Sequence, residues 1–271
     1  MSEFIGKELT TIAFCWRLER CDGVALGFTA HDRDLEFDGL RYRASPGMLP
    51  SSISLSDGFG ADSLDVKGAL TGDGISAGDL RSGRWDGAAL TIFMVDWENA
   101  GGERLLVARG ELGEITVRGD AFEAELRGPT AALERPVVEQ TSPDCRAELG
   151  DKRCRVDMAG RVRITRLTTV VSTTVVDVAE AAGGNVYAYG SLRWLSGANC
   201  GLHSPILASQ GSRLTLREPP EFAAAPGDLV ELKEGCDKSL ATCAGRCANV
   251  ANFRGEPHLP GIDLLTRYSG A

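Results

Sequence analysis

Four of the eight cysteines lie in two pairs and carry the strongest chemical signal in the chain. Cys145 and Cys154 are nine residues apart, and Cys236 and Cys243 are seven residues apart in a more distant segment. Thiols gathered from two distant segments build a disulfide framework, a zinc site or an iron–sulfur cluster. The pattern therefore predicts that these four side chains converge on one centre.

Composition and the start of the chain bear on which of the three applies. Met1 is followed by neither a basic leader nor an apolar stretch of the signal-peptide type, so we expect no secretory signal. No run of about 18 apolar residues occurs, so we expect no membrane span. A reducing cytosol disfavours disulfides, which leaves metal binding, catalysis or packing as the roles of the thiols.

Zinc and an iron–sulfur cluster compete for the same four thiolates. Structural zinc sites favour ligands two to four residues apart within a pair, and the wider spacing here favours the cluster. Cys247, four residues after Cys243, is a rival for the fourth ligand, and His258 is a further donor for zinc. The remaining cysteines are interpreted as packing or turn residues: Cys15, Cys21 and Cys200.

The elements that must position these thiols are mostly strands. Apolar residues alternate with period two between turns rich in Gly, Asp, Pro and Ser, and clear helix signals are few. This pattern predicts a mainly β fold with two β-rich domains of barrel or sandwich type. Pro136 and the polar run after it predict a boundary, which gives domains 1–136 and 137–271. The end of the second domain lacks a regular pattern, so we expect an irregular, metal-stapled tail.

A longer stretch around the second cysteine pair resembles a known family. It runs from Gly235-Cys236-Asp237-Lys238 through Cys243 to Asn252-Phe253-Arg254-Gly255-Glu256-Pro257-His258-Leu259-Pro260-Gly261, and Trp194-Leu195-Ser196-Gly197-Ala198-Asn199 precedes it. The stretch resembles the C-terminal domain of tail hub proteins, which occur in long-tailed, siphovirus-like phages and in gene transfer agents. In the first half of the chain, Phe28-Thr29-Ala30-His31-Asp32-Arg33-Asp34-Leu35 and Gly47-Met48 are similar to the same family.

The resemblance implies a cofactor. Related lambda-type tail-tip proteins bind a four-iron (4Fe-4S) cluster through two cysteine pairs of similar spacing. That similarity maps onto Cys145, Cys154, Cys236 and Cys243 as the metal and cofactor ligands. Zinc remains the alternative cofactor.

The resemblance also implies a structural virion protein, a baseplate component, rather than an enzyme. Such a hub forms a homo-oligomer, a trimer, between the distal tail protein ring and the central fibre or spike (megatron-like) protein. It is located in the tail of the particle after assembly in the bacterial cytoplasm. As part of a DNA delivery conduit it would contact passing DNA without tight binding, in keeping with a net charge of −9.

An enzyme is the competing class, either a cluster-bearing oxidoreductase or a hydrolase that acts on the cell envelope, and a zinc-stapled binding module is the third. Gly74-Ile75-Ser76-Ala77-Gly78 matches the nucleophile-elbow pattern of hydrolases, but that motif needs a buried strand before it and a full helix after it. We interpret Ser76 as the cap of a short helix that ends near Leu80, and His31 as part of an Asp-rich turn. No catalytic residue is therefore predicted.

Overall fold

A computed structural model describes residues 11–44, 49–50, 63–69, 74–119, 121–128, 131, 133 and 138–259. Of residues 49–50 and 63–69 it describes the backbone only. The motif residues Gly47-Met48 and Pro260-Gly261 lie outside the described residues. The chain divides into two units, Met1–Val137 and Val138–Ala271.

Strands of the first unit form one sheet, and the nine in its described part have the order β3-β4-β2-β1-β7-β8-β9-β6-β5. Their bounds are β1 Ile12–Glu19, β2 Ala25–Thr29, β3 Leu35–Phe37, β4 Leu40–Ala44, β5 Leu49–Pro50, β6 Ser63–Ala69, β7 Ala89–Asp96, β8 Arg104–Arg118 and β9 Ala121–Arg127. Neighbouring strands are antiparallel except β2 and β4, which are parallel. A short helix, α1 (Ala77–Arg81), precedes β7, and a 3-10 turn (Trp97–Asn99) follows it.

The central strands of this sheet bury side chains on both faces. In β1, Trp16 belongs to one apolar cluster, with Trp85 and Ile92, whereas Cys15 belongs to a second cluster with Tyr42. Alternate residues of a strand point to opposite faces, so each face of β1 contributes to a different core. At β1 and β7, therefore, both faces of the sheet are apolar and each contributes to a core.

The second unit contains a closed barrel of six strands in the order β10-β11-β14-β13-β12-β15, within the part of the chain that the structure describes. Its strands are β10 Val162–Val170, β11 Val175–Val178, β12 Ser191–Trp194, β13 His203–Gln210, β14 Arg213–Leu216 and β15 Leu229–Lys233. Antiparallel pairing of β10 with β15 closes the barrel. The indole of Trp194 is fully buried inside and donates to Ser204 Oγ at 3.0 Å, so its polar atom is satisfied.

Two irregular segments of the second unit lie outside the barrel strands. One precedes β10 and contains residues 138–161, and the other follows β15 and contains helix α2 (Leu240–Gly245) and a 3-10 turn (Val250–Asn252). The prediction of a mainly β protein is confirmed. Among the described residues, no helix is long and apolar enough to cross a membrane.

Candidate metal centre

All four predicted ligands line one small cavity in the second unit. The cavity measures about 20 Å³, and the thiols around it belong to Cys145, Cys154, Cys236, Cys243 and Cys247. Ala147, Leu149 and Val156 add apolar wall. The structure thus brings the two predicted pairs together and adds a fifth thiol. We call this site, with its five cysteines, the thiol cavity. Their role as metal ligands remains a prediction; in the described part of the chain no three His, Cys, Asp or Glu side chains form a site for a metal ion.

The other three cysteines do not line the thiol cavity. Cys15 is fully buried in β1, where its thiol donates to Thr29 Oγ1 at 3.5 Å. Cys200 is exposed and its thiol donates to the carbonyl oxygen of Leu195 at 3.3 Å. Cys21 is exposed, and so is His258, the further zinc donor that the sequence offered.

Cys154 is positioned by one carboxylate. Asp151 Oδ1 accepts from the backbone N–H groups of Cys154 at 2.6 Å and Arg153 at 2.8 Å, and Oδ2 accepts from Glu148 N–H at 2.9 Å. These donors lower the pKa of Asp151, the bond from Cys154 most of all. Hydrogen bonds from nearby backbone N–H groups to an Asp side chain take the place of the strand-to-strand hydrogen bonds that a loop lacks. The loop around Cys154 is therefore held by Asp151 rather than by an apolar core of its own.

Cys236 and Cys145 are joined through Lys238. The Lys238 backbone lies in the left-handed region, with φ 64°. Its carbonyl oxygen accepts from Cys145 N–H at 2.9 Å, and its Nζ donates to the Ala147 carbonyl at 2.6 Å. Lys238, two residues after Cys236, thus ties the second segment to the backbone of the first at Cys145 and Ala147.

Helix α2 carries Cys243 into the cavity. Ser239 caps this helix, since its side chain accepts from Thr242 N–H at 3.1 Å. Asp237 supports the same turn by accepting from Ser239 N–H at 3.0 Å and from Thr242 Oγ1 at 2.8 Å. Cys243 is the one buried residue of α2. The capping pattern after Cys236 therefore starts a helix whose buried side chain is a thiol.

The last described segment completes the cavity with N–H donors. Arg254 N–H donates to Cys145 Sγ at 3.3 Å, and the side-chain amide of Asn249 lies 3.7 Å from Cys154 Sγ and donates to the Cys154 carbonyl at 2.5 Å. Hydrogen bonds to sulfur stabilise thiolates and tune iron–sulfur sites. Two of the five sulfurs, those of Cys145 and Cys154, therefore have a nearby N–H donor.

Gly235, immediately before Cys236, lies where two backbone segments cross. A Cβ at this position would be 2.0 Å from the carbonyl oxygen of Ala188 and 2.1 Å from the nitrogen of Gly190. Gly235 N–H also donates to the Val186 carbonyl at 3.1 Å. Because the obstructing atoms are backbone, no rotamer change relieves the clash, and only glycine fits.

An ion pair links the two irregular segments, and burial changes the pKa of two cavity thiols. Arg146 donates to the two oxygens of Glu256 at 2.6 and 2.8 Å and holds the pKa of that carboxyl at about 2. Burial raises the pKa of the Cys236 and Cys243 thiols, and for Cys243 the neighbouring thiols, Cys247 foremost, raise the pKa further. Metal binding to such thiols releases protons.

Comparison with known proteins adds an identity to this geometry. Residues 1–157 match the family described as baseplate hub protein, N-terminal attachment domain. The chain belongs to this family. Residues 185–263 of the hub protein match the family described as phage conserved hypothetical protein BR0599. A search of curated proteins found no match.

A solved structure resembles the hub protein over nearly its whole length. That structure is titled virion of native gene transfer agent (GTA) particle; the identity is 36%, the TM-score is 0.87, and the similarity covers 98% of this chain and 94% of that one. The hub protein is therefore a structural component of a phage-like tail and is located in the particle. These comparisons name no cofactor, and the iron–sulfur assignment stays a prediction.

Ser76 and His31, the two residues of the hub protein that we considered as catalytic candidates, have structural roles. Ser76 caps α1: its hydroxyl accepts from Asp79 N–H at 3.0 Å and donates to Asp79 Oδ2 at 2.9 Å. The predicted cap and the short helix after it are confirmed. His31 Nδ1 accepts from Arg33 N–H at 3.1 Å, which is the predicted turn.

Several positioning residues of the hub protein were missed from sequence. Asp151 carries a usable signal, because an Asp three residues before a Cys in a loop favours bonds to the following N–H groups. Asn249 and the backbone of Arg254 carry none, since they reach Cys154 and Cys145 only after the last segment has crossed the first. A contact at such separation depends on the tertiary fold.

Proposed function

We propose that this protein is the hub subunit of a gene transfer agent or siphophage tail, a trimer that connects the distal tail protein ring to the central fibre or spike. It forms part of the conduit through which DNA leaves the particle, and it performs no catalysis. The observation that carries this proposal is the similarity to a virion chain over 98% of the length. A purely structural role agrees with Ser76 and His31 serving as cap and turn residues.

The second part of the proposal is a 4Fe-4S cluster held by Cys145, Cys154, Cys236 and Cys243. The donor set fits this group: thiols from two segments line one cavity, apolar residues form part of its wall, and N–H groups approach two sulfurs. When bound, the cluster supplies four iron–thiolate bonds between the two segments. Zinc would use the same thiolates, although the pair spacings of nine and seven residues are wider than structural zinc sites favour.

The chain's own residues prepare both segments for that link. Asp151 fixes the first segment at Cys154, and Ser239 and Asp237 fix the second at α2. Lys238 and Arg254 join the segments through hydrogen bonds. Since neither segment belongs to the barrel ladder, covalent closure between them would remove most of their freedom to separate. A tail hub that transmits force benefits from a link of this kind.

In this proposal the negative net charge of the chain keeps its binding to DNA weak. The chain carries −9 overall, and tight DNA binding requires Lys or Arg side chains that replace counterions on phosphates. Arg161, which lies just before β10 and is partly buried, is paired with Glu234 at 2.6 Å. We expect the isolated protein to bind duplex DNA weakly, so that DNA passes without being held.

Complementation of a producer strain that lacks its hub gene tests the role. Wild-type protein and the Ser76→Ala and His31→Ala variants should restore tailed particles and DNA transfer to within a few-fold of one another. Cys236→Ser should give few complete tails, with native mass spectrometry of the purified protein reporting whether the trimer still forms. Loss of a hydrolytic activity in correctly folded Ser76→Ala protein would contradict the structural role.

A further inference from the structure

The fifth thiol of the cavity has no assigned role. Cys247 lines the same cavity as the four predicted ligands and lies four residues after Cys243. Cys247 lies just beyond the end of α2, in the turn that follows Gly245. The neighbourhood of Cys243 therefore offers two thiols for one ligand position, whereas the first segment offers Cys145 and Cys154 without a spare.

The chain bends back after α2 so that Cys247 reaches the cavity. The N–H of Cys247 bonds to the Thr242 carbonyl at 3.4 Å, and the N–H of Arg246 bonds to the same oxygen at 3.0 Å. The Thr242 carbonyl therefore accepts two N–H groups where the helix ends, and Cys247 lines the cavity from this turn. Asn249 N–H then donates to the Cys243 carbonyl at 3.1 Å, which closes a loop around both thiols.

Helix α2 can exchange one thiol for the other with little disturbance. It is six residues long; Cys243 is its one buried residue and Leu240 is half-buried, so few apolar side chains of α2 oppose a small rotation. A Cβ at Gly245 would meet nothing within 4 Å, which leaves space at the end that must move. Arg246 holds the adjoining backbone by donating to the Val186 carbonyl at 3.4 Å and to the Gly235 carbonyl.

We propose that Cys247 is a reserve ligand that replaces Cys243 on the metal centre, an inference that rests on the proposed iron–sulfur cluster. In the exchange the iron–sulfur bond to Cys243 breaks and one to Cys247 forms. The proton of the Cys247 thiol passes to the Cys243 thiolate, and no electron is transferred. The link between the two segments then persists while α2 shifts, which suits a hub that rearranges when DNA leaves.

Alanine variants test this, because alanine offers no oxygen ligand in place of sulfur. Proteins are purified without oxygen, and iron and acid-labile sulfide are measured per chain with the visible spectrum. Cys247→Ala should keep the wild-type iron content, and Cys243→Ala should keep most of it. Cys145→Ala, Cys154→Ala and the double variant Cys243→Ala/Cys247→Ala should contain at least about tenfold less iron, as expected for lost ligands.

Alkylation of the loaded proteins gives a second readout that does not depend on iron yield. In wild type, Cys247 should react with iodoacetamide while the four ligands are protected; in Cys243→Ala, Cys247 should become protected. Cys243→Ala as poor in iron as Cys145→Ala, or Cys247 equally reactive in both proteins, would overturn the reserve role alone. Wild-type protein without iron would overturn the proposed cluster as well.

Discussion

The two units of this hub protein use cysteine in opposite ways. In the first unit Cys15 is a strand residue with 0% exposure, enclosed by a core that Tyr42 and Phe93 complete. In the second unit five thiols lie on irregular segments and a short helix around one cavity. A thiol inside a sheet acts as a small apolar side chain. On irregular segments, which lack the hydrogen bonds between strands, thiols can hold the backbone in place through bonds to a metal instead. The surroundings of a cysteine, more than its presence, indicate which role it has.

The largest expected difference between the units comes from removing one thiol in each. Cys236→Ser should lower the free energy of unfolding of the second unit by about 5 kcal/mol or more, because the free energy of metal binding is lost from folding. Cys15→Ala removes one buried sulfur and should cost about 1–2 kcal/mol, a small-cavity effect. Thermal unfolding of anaerobically purified proteins measures both. Equal losses would mean that metal does not hold the second unit together.

A glycine comparison tests the backbone crossing beside the thiols. Gly235→Ala should destabilise the second unit by about 3 kcal/mol, because its Cβ would overlap backbone atoms that cannot rotate away. Gly245→Ala is the matched control: its Cβ would meet nothing within 4 Å, and alanine in a helix gains about 0.5–1 kcal/mol over glycine. Denaturant unfolding of both variants decides the matter. An unchanged Gly235→Ala midpoint would show that the crossing does not constrain the Cys236 backbone.

The helix caps of the two units allow a comparison with a smaller expected effect. Ser76→Ala and Ser239→Ala each remove a cap bond and should each cost about 1 kcal/mol. Only Ser239→Ala should also reduce iron content after reconstitution, because α2 carries Cys243. Iron analysis beside the unfolding curves separates the two effects. Equal iron contents in both variants would mean that α2 need not be formed for the cluster to bind.

The smallest effect concerns pH. Glu256 has a folded pKa of about 2 against an ordinary value of 4.5, so its stabilising contribution is complete above pH 4.5 and is lost as the pH falls toward 2. The difference in melting temperature between wild type and Glu256→Gln should therefore shrink across that window. Asp38→Asn in the first unit, where Arg104 lowers the pKa of Asp38, is the control. Iron content, measured beside the melting curves, should be unchanged in this variant. A difference that grows on acidification would contradict the Arg146–Glu256 pairing.

Alternation of apolar residues was enough to predict the mainly β fold, because strands such as β15 bury every second side chain in the barrel. Residue type and spacing also predicted that the four paired cysteines meet, and the structure places them around one cavity together with Cys247. The need for glycine at Gly235 and the N–H donor from Arg254 could not be predicted. Both depend on where one segment crosses another, which is set by the closed barrel and not by local sequence.

The central claim is that the thiol cavity of each hub chain holds a four-iron cluster. Native mass spectrometry of the full chain, purified and sprayed without oxygen, tests it most directly because the mass reports metal and sulfide together. We expect a chain that carries the mass of four irons and four sulfides and that becomes bare in Cys236→Ser but not in Cys15→Ala. A bare wild-type chain, or one that carries a single zinc, would contradict it.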